Sequence, residues 1–239
     1  MIVTSVTVGA FQENCYLVAD GESDALAVVD PGGEPEKIIA AIEDTGRTPE
    51  AIWVTHAHVD HIGAIAAVKR KWDVPIWLHP DGEPLYRVGG RQAQLYGIPY
   101  EEPPTPDREF REGENLKLGS LELSVMHVPG HAPGHVLIYG YGNALVGDCL
   151  FAGSIGRTDL PFSNPVQLEA SLKRIAALPP ETVVYPGHGD ATTIGEERSS
   201  NPFLNGTARI VRACSMGSDP NEKLEQWGQT PMRNHFNSP

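Results

Sequence analysis

The sequence predicts an α/β fold in which two sheets pack face to face with helices outside, and three observations lead there. Each half of the chain runs through several short strands and then helix–strand units, the pattern of a layered architecture with helices covering sheets. Hydrophobic residues are 40% of the 239 and charged residues only 21%, enough to bury a sizeable core and too apolar for a disordered chain. No self-similar period of about 20–50 residues appears, which argues against a solenoid or propeller.

The elements follow in order. Ile2–Val8 alternates in strand fashion, as do Cys15–Val18 and Ala25–Val29, with Gly9, Asp20-Gly21 and Pro31-Gly32-Gly33 punctuating them. That spacing predicts a three-stranded meander. Glu34–Thr45 carries Ile38, Ile39 and Ile42 at helical spacing and closes on Gly46. A buried-type strand follows at Ala51–Val54, then a helix over Ile62–Trp72 and a strand over Val74–Leu78. From Asp81 to Asp107 the pattern breaks down among four clustered prolines, and a surface excursion with at most a short helix in Leu85–Tyr96 is expected. Strand signals resume at Leu116–Leu118, Leu121–Val128, Val136–Tyr139 and Ala144–Val146. A helix over Val166–Leu178 and a strand over Thr182–Tyr185 complete the second half.

Charge and cysteines bound the function. With 31 acidic against 18 basic residues the formal charge is −13, which argues against nonspecific nucleic-acid binding and docking on anionic membranes. Met1–Glu13 has no basic stretch and no unbroken apolar run, and Cys15, Cys149 and Cys214 are too few for a disulfide framework. A soluble, reduced, cytoplasmic protein is expected.

The chemistry concentrates in Thr55-His56-Ala57-His58-Val59-Asp60-His61, between an apolar strand and a helix. In near-extended backbone, residues two apart point the same way, so His56 and His58 can converge on one point. Asp60 and His61 then sit at the helix entry, and three imidazoles with a carboxylate at such spacing are metal ligands. Further ligand types end later strands: His131 and His135 in Pro129–His135, Asp148 in Val146–Cys149, and His188 in Val184–Gly189. Together they suffice for two ions. No G-x-S-x-G elbow, Walker loop or G-x-G-x-x-G competes. Cys149 as nucleophile or ligand stays open, His135 supports the ligands or packs at a strand end, and His79, His127 and His235 take structural or surface roles.

These motifs resemble the metallo-β-lactamase superfamily and, within it, the short bacterial glyoxalase II-like (hydroxyacylglutathione hydrolase-like) proteins, over about Ile2 to Leu204. The resemblance implies a four-layer αββα sandwich of two mixed β-sheets flanked by helices, with 1–204 as the hydrolase domain and 205–239 as a loosely packed tail. It implies His56, His58 and His131 on one divalent ion, Asp60, His61 and His188 on the other, and Asp148 bridging them. Asp60 and Asp148 would be the catalytic carboxylates, with Asp30 supporting the ligands from behind. The ions would be zinc, with iron or manganese as alternatives, and together they can activate water and polarise a carbonyl. The implied reaction is hydrolysis of a small thioester such as S-lactoylglutathione, a small anionic thiol conjugate. Arg157 stands where such enzymes use a lysine to grip a glutathione carboxylate. Asp159, where they use tyrosine, departs from the pattern, and the stretch after His188, residues 189–239 and partly Pro/Gly-rich, resembles the short bacterial proteins more than the long glyoxalase II enzymes with their helical C-terminal domain. The Gly156–Asp159 run also resembles persulfide dioxygenases, which makes a mononuclear-iron oxygenase the alternative. A metal-binding member with another hydrolytic substrate, or with no catalysis, is the second alternative. Oligomeric state is left open.

Overall fold

The computed structural model describes residues 1–210. β1 (Ile2–Val8), β2 (Glu13–Ala19) and β3 (Ala25–Val29) form the expected antiparallel meander. After α1 (Pro35–Asp44), β4 (Thr48–Trp53) joins β3 in parallel. α2 (Val59–Ile62) and α3 (Ile65–Trp72) lead to β5 (Ile76–Leu78), and α4 (Glu83–Tyr86) and α5 (Gly89–Tyr96) lead to β6 (Arg108–Glu109). The first sheet therefore runs β1-β2-β3-β4-β5-β6. In the second half β7 (Asn115–Leu118), β8 (Leu121–His127), β9 (Val136–Gly140) and β10 (Asn143–Gly147) are antiparallel neighbours. β11 (Leu150–Phe151) and β12 (Ser154–Ile155) make a small hairpin ahead of α6 (Pro165–Ile175). β13 (Val183–Pro186) returns parallel to β10, and β14 (Thr192–Thr193) and α7 (Ile194–Ser200) follow. This sheet runs β14-β13-β10-β9-β8-β7.

Two mixed sheets flanked by helices need three apolar seams, and the side-chain alternation supplies them. In β3 every residue is buried, yet Leu26 and Val28 join Ile38, Ile42, Ile65 and Val68 under α1 and α3, whereas Ala25, Ala27 and Val29 face the other sheet. A strand covered on both faces reads as a continuous apolar run for this reason. The middle seam adds Trp53, Phe110, Leu123, Val125 and Ile138, and the third sets Leu168, Leu172 and Ile175 of α6 against Leu137, Val146 and Val184. Those three helix residues recur at i, i+4 and i+7 and each contributes roughly 1.5–3 kcal/mol on burial.

Two expectations need correction. The helix expected over Ile62–Trp72 is broken at Gly63-Ala64, because the Ala64 N–H turns away to donate to the Pro31 carbonyl at 2.9 Å. The excursion after Asp81 is no surface loop, since Leu85, Gln92 and Ala93 are buried. Gln92 donates to the Ala57 and Leu85 carbonyls at 3.3 and 3.0 Å and accepts the Val59 N–H at 3.0 Å, satisfying the backbone of the histidine loop. The helix α7 carries no apolar stripe; a Thr193–Glu196 capping box opens it. Beyond it, Leu204 and Ile210 pack against the third seam and the Ala208 N–H donates to the Pro202 carbonyl. The rest of the expected tail, with Cys214 and His235, lies outside the described residues.

Candidate metal centre

The strands β3, β4, β10 and β13 bring their carboxyl ends to one edge of the sandwich, and the candidate ligands stand on the loops that leave them. His56 and His58 follow β4, Asp60 and His61 open α2, His131 lies between β8 and β9, Asp148 follows β10 and His188 follows β13. His56, His58 and His131 bring one ligand atom each within 4.8 Å of one another, and Asp60, His61 and His188 do the same. Asp148 lies between the two triads. Its Oδ2 is 3.5 Å from both His131 Nε2 and His188 Nε2, and its Oδ1 is 3.4 Å from His61 Nε2.

Hydrogen bonds assign the tautomers of four imidazoles. His131 Nδ1 meets the Arg157 carbonyl at 2.9 Å and His188 Nδ1 meets the Phe11 carbonyl at 3.1 Å, so both nitrogens donate. His61 Nδ1 donates to Asp30 Oδ2 at 3.1 Å. The Thr55 hydroxyl spends its proton on Asp30 at 2.6 Å, so its oxygen accepts from His56 Nδ1 at 3.2 Å. In these four each Nδ1 is thus committed and Nε2 presents a lone pair to the centre, whereas His58 turns its Nδ1 toward His131 Nε2, 2.9 Å away. His56 Nε2, His61 Nε2 and Asp148 Oδ1 are buried with no hydrogen-bond partner. Leaving such atoms unpaired is costly, and divalent cations fit this donor set of imidazoles and carboxylates.

The electrostatics divide the site in two. Burial, then the imidazoles around it, push His56 well below the ordinary histidine value, and burial with His131 brings His58 down to about 3. Burial also lowers His131, so this triad is neutral and ready to ligate. Burial would likewise lower His61 and His188, but Asp148 and Asp60 hold both above the usual value. Burial works against the Asp60 anion, yet His61 and His188 hold its carboxyl down at about 2. The field that favours charged imidazoles there is the field that draws a metal cation.

Asp30 and His135 stand behind the candidate ligands. Asp30, 2% exposed and at φ 50°, accepts the Thr55 N–H at 2.7 Å besides the Thr55 hydroxyl and His61. His135 Nε2 accepts the Asp148 N–H at 3.1 Å, and its ring stacks on His56 at 4.6 Å. Cys149 faces away from the centre, donating to the Val128 carbonyl at 3.2 Å, and burial pushes its thiol up, which makes it a poor nucleophile or ligand. His79 and His127 stack on each other at 4.0 Å, with Asp81 beside them, at the ends of β5 and β8.

The residue-level reading passed over two contributors, Gln92 and Glu13. Glu13 is 1% exposed, both its carboxylate oxygens lack hydrogen-bond partners, and Oε1 lies 3.8 Å from His61 Nδ1. Its neighbour Asn14 donates to the Pro186 and Gly189 carbonyls at 3.3 and 2.8 Å, fastening the His188 loop to the first sheet. The available signal was a polar pair, Glu13-Asn14, opening an otherwise apolar strand. A cavity of about 720 Å³ lies over the centre, lined by His58, Asp60, His131, Asp148 and His188 and walled by Phe11, Tyr96, Phe151, Ile155 and Leu160. Arg157 also lines it, but its guanidinium is engaged: Nε and Nη2 donate to the two carboxylate oxygens of Asp159 at 2.8 and 2.9 Å.

Comparison with known proteins agrees with this geometry. Residues 8–188 match the model of the metallo-beta-lactamase superfamily. The hydroxyacylglutathione hydrolase GloC of Haemophilus influenzae is 40% identical over 210 residues, covering 86% of this chain and 99% of the relative. The crystal structure of TTHA1623 in a di-iron-bound form is 48% identical, with a TM-score of 0.79 over 84% of this chain and 100% of that one. The crystal structure of the B3 metallo-beta-lactamase BLEG-1 is 36% identical, with a TM-score of 0.80 over 86% of this chain and 100% of that one.

Proposed function

Because the chain belongs to the metallo-beta-lactamase superfamily, we propose that it is a metal-dependent hydrolase of small thioesters, with S-lactoylglutathione as the first substrate to try. The observation that carries this reading is the carboxylate of Asp148 set between two complete triads whose imidazole lone pairs face inward. Two divalent ions held by those triads would activate water and polarise the substrate carbonyl. Nitrogen and hard oxygen donors suit zinc, with iron and manganese as the alternatives.

The chain's own groups supply the rest. Asp60, ionised at neutral pH and 3.2 Å from His188 Nε2, accepts a hydrogen bond from the attacking water and orients it. Asp148 spans the triads, and His135 holds its backbone in place. The walls of Phe11, Phe151, Ile155 and Leu160 exclude bulk water around the acyl group, and a thiolate leaves readily. The mononuclear-iron dioxygenase alternative needs only two histidines and one carboxylate. Completeness of the second triad favours the hydrolase.

The test combines elemental analysis of the purified protein with turnover of a panel holding S-lactoylglutathione, uncharged thioesters, a lactam and glutathione persulfide. Two ions per chain and thioester cleavage are expected. One iron per chain with oxygen uptake on the persulfide overturns the reading. Asp60→Ala is expected to fold normally and lose at least about a hundredfold in kcat/KM, the scale of removing a positioned acid–base group. Unchanged kcat/KM would reject its role.

A further inference from the structure

We infer that Asp159 sets the charge preference of the substrate cavity. By filling the fork of Arg157, it favours uncharged small thioesters over those whose thiol carries a carboxylate. The inference rests on the thioester reading above, and it replaces the expectation that Arg157 receives an anionic conjugate.

Arg157 is the only lysine or arginine among the described residues that line the cavity over the metal centre. A guanidinium recognises a carboxylate through two parallel N–H···O bonds. Here that pairing is already made within the chain, by Nε and Nη2 to Oδ1 and Oδ2 of Asp159, two residues on. A two-residue separation makes the partner local, so the pair needs no distant rearrangement to form. A substrate carboxylate arriving at this wall meets a neutralised arginine. It must displace Asp159 or settle for the remaining N–H groups of a guanidinium whose charge is already balanced. Asp190 lines the same cavity and adds to the opposing field. Much of the remaining wall is apolar or aromatic, with Phe11, Tyr96, Phe151, Ile155 and Leu160 beside the smaller Ser154 and Ala152, which suits an uncharged thiol chain.

The arrangement also separates two roles of Arg157. Its carbonyl oxygen accepts from His131 Nδ1 at 2.9 Å and so orients a candidate metal ligand through the backbone. Substitution of the side chain leaves that backbone acceptor in the chain. Both partners are partly exposed, at 33% and 53% of their side chains, so the clamp is a modest barrier that one substitution can open.

The experiment compares S-lactoylglutathione with the S-lactoyl thioester of N-acetylcysteamine, which shares the acyl group and lacks the carboxylates. The quantity read is the ratio of their kcat/KM values in the wild type, in Asp159→Asn and in the Arg157→Gln/Asp159→Asn double variant. Zinc content of each protein separates a changed preference from a damaged metal site. In Asp159→Asn the ratio is expected to rise in favour of the glutathione conjugate by about fivefold, the most an exposed ion pair commonly provides. In the double variant the ratio should return to the wild-type value. A ratio that stays unchanged or falls in Asp159→Asn overturns the inference, as does a gain that survives removal of Arg157. If the wild type cleaves neither thioester, the hydrolase reading fails on its own. Calorimetric affinities of the metal-loaded proteins for the two corresponding S-ethyl thioethers then give the same ratio and decide the inference by the same criteria.

Discussion

At the scale of the residue, the centre is made by what stands behind the ligands as much as by the ligands. Four imidazoles present Nε2 because an oxygen has claimed each Nδ1, and for two of them that oxygen chain leads to Asp30. Asp30→Asn keeps the shape but exchanges one of two accepting oxygens for an amide that donates, so either His61 or Thr55 loses its partner. Affinity for the metal is expected to fall about 10–100-fold, read by competition with a chelator, as for other partners that stand behind a ligand. Unaltered affinity would show that the imidazoles orient themselves. The ligand set was legible because histidine is scarce, nine residues in the chain, and four of the seven proposed ligands, His56, His58, Asp60 and His61, cluster with a fixed spacing after one strand. Glu13, Gln92 and the Arg157–Asp159 pair were not. Each acts through a partner distant in sequence or through a fork that two neighbouring residues close between themselves, and neither leaves a periodic trace.

Elements explain why those residues meet. The Asp60 turn can approach the β3–α1 loop only because Gly32 has no side chain. A methyl there would overlap the Asp60 carbonyl oxygen and crowd Glu13 Oε2. The break between α2 and α3 belongs to the same contact, since the Ala64 N–H bonds to the Pro31 carbonyl next to where Gly63, which also has no room for a side chain, lies against the Gly32 carbonyl oxygen. Gly32→Ala is therefore expected to cost about 1–3 kcal/mol in a urea melt, the range for overpacking, and to lower occupancy of the triad that contains Asp60. A stability within error of the wild type would mean the loop has room to retreat. The long strands, β3 among them, were legible from their strand-like apolar pattern and the turn residues between them. The two-residue strands β6, β11, β12 and β14 are too short for a period to register, and in α7 only its cap marks the start. The helix break was illegible for another reason: the apolar spacing of Ile62, Ile65 and Val68 is intact across it, and only the tertiary bond to Pro31 interrupts the backbone.

Across the whole molecule, β2 ties the sandwich at both ends. At its start Asn14 holds the β13–β14 loop beside the metal centre. Just past its end Asp20 accepts the Ser120 N–H and hydroxyl at 2.7 and 3.0 Å, fastening the β7–β8 turn of the second sheet to the first. The Glu22 N–H and Ser23 hydroxyl complete its shell at 3.0 and 2.7 Å. The bonds from Ser120, then Glu22 and Ser23, hold the Asp20 carboxyl well below the usual carboxylate value. A group whose pKa is depressed by folding contributes stability that is complete above its unfolded value, near pH 4, and that is lost as the pH falls toward the folded one. Asp20→Asn should consequently lower the midpoint of thermal unfolding at pH 7, and the gap between variant and wild type should narrow steadily below pH 4. Comparing the two proteins at each pH cancels the loss of metal in acid, which both share. A gap that persists undiminished at pH 3 would mean that the contact at the far edge depends on shape and not on charge, and that the acidic chain tolerates protonation there without loosening its two sheets.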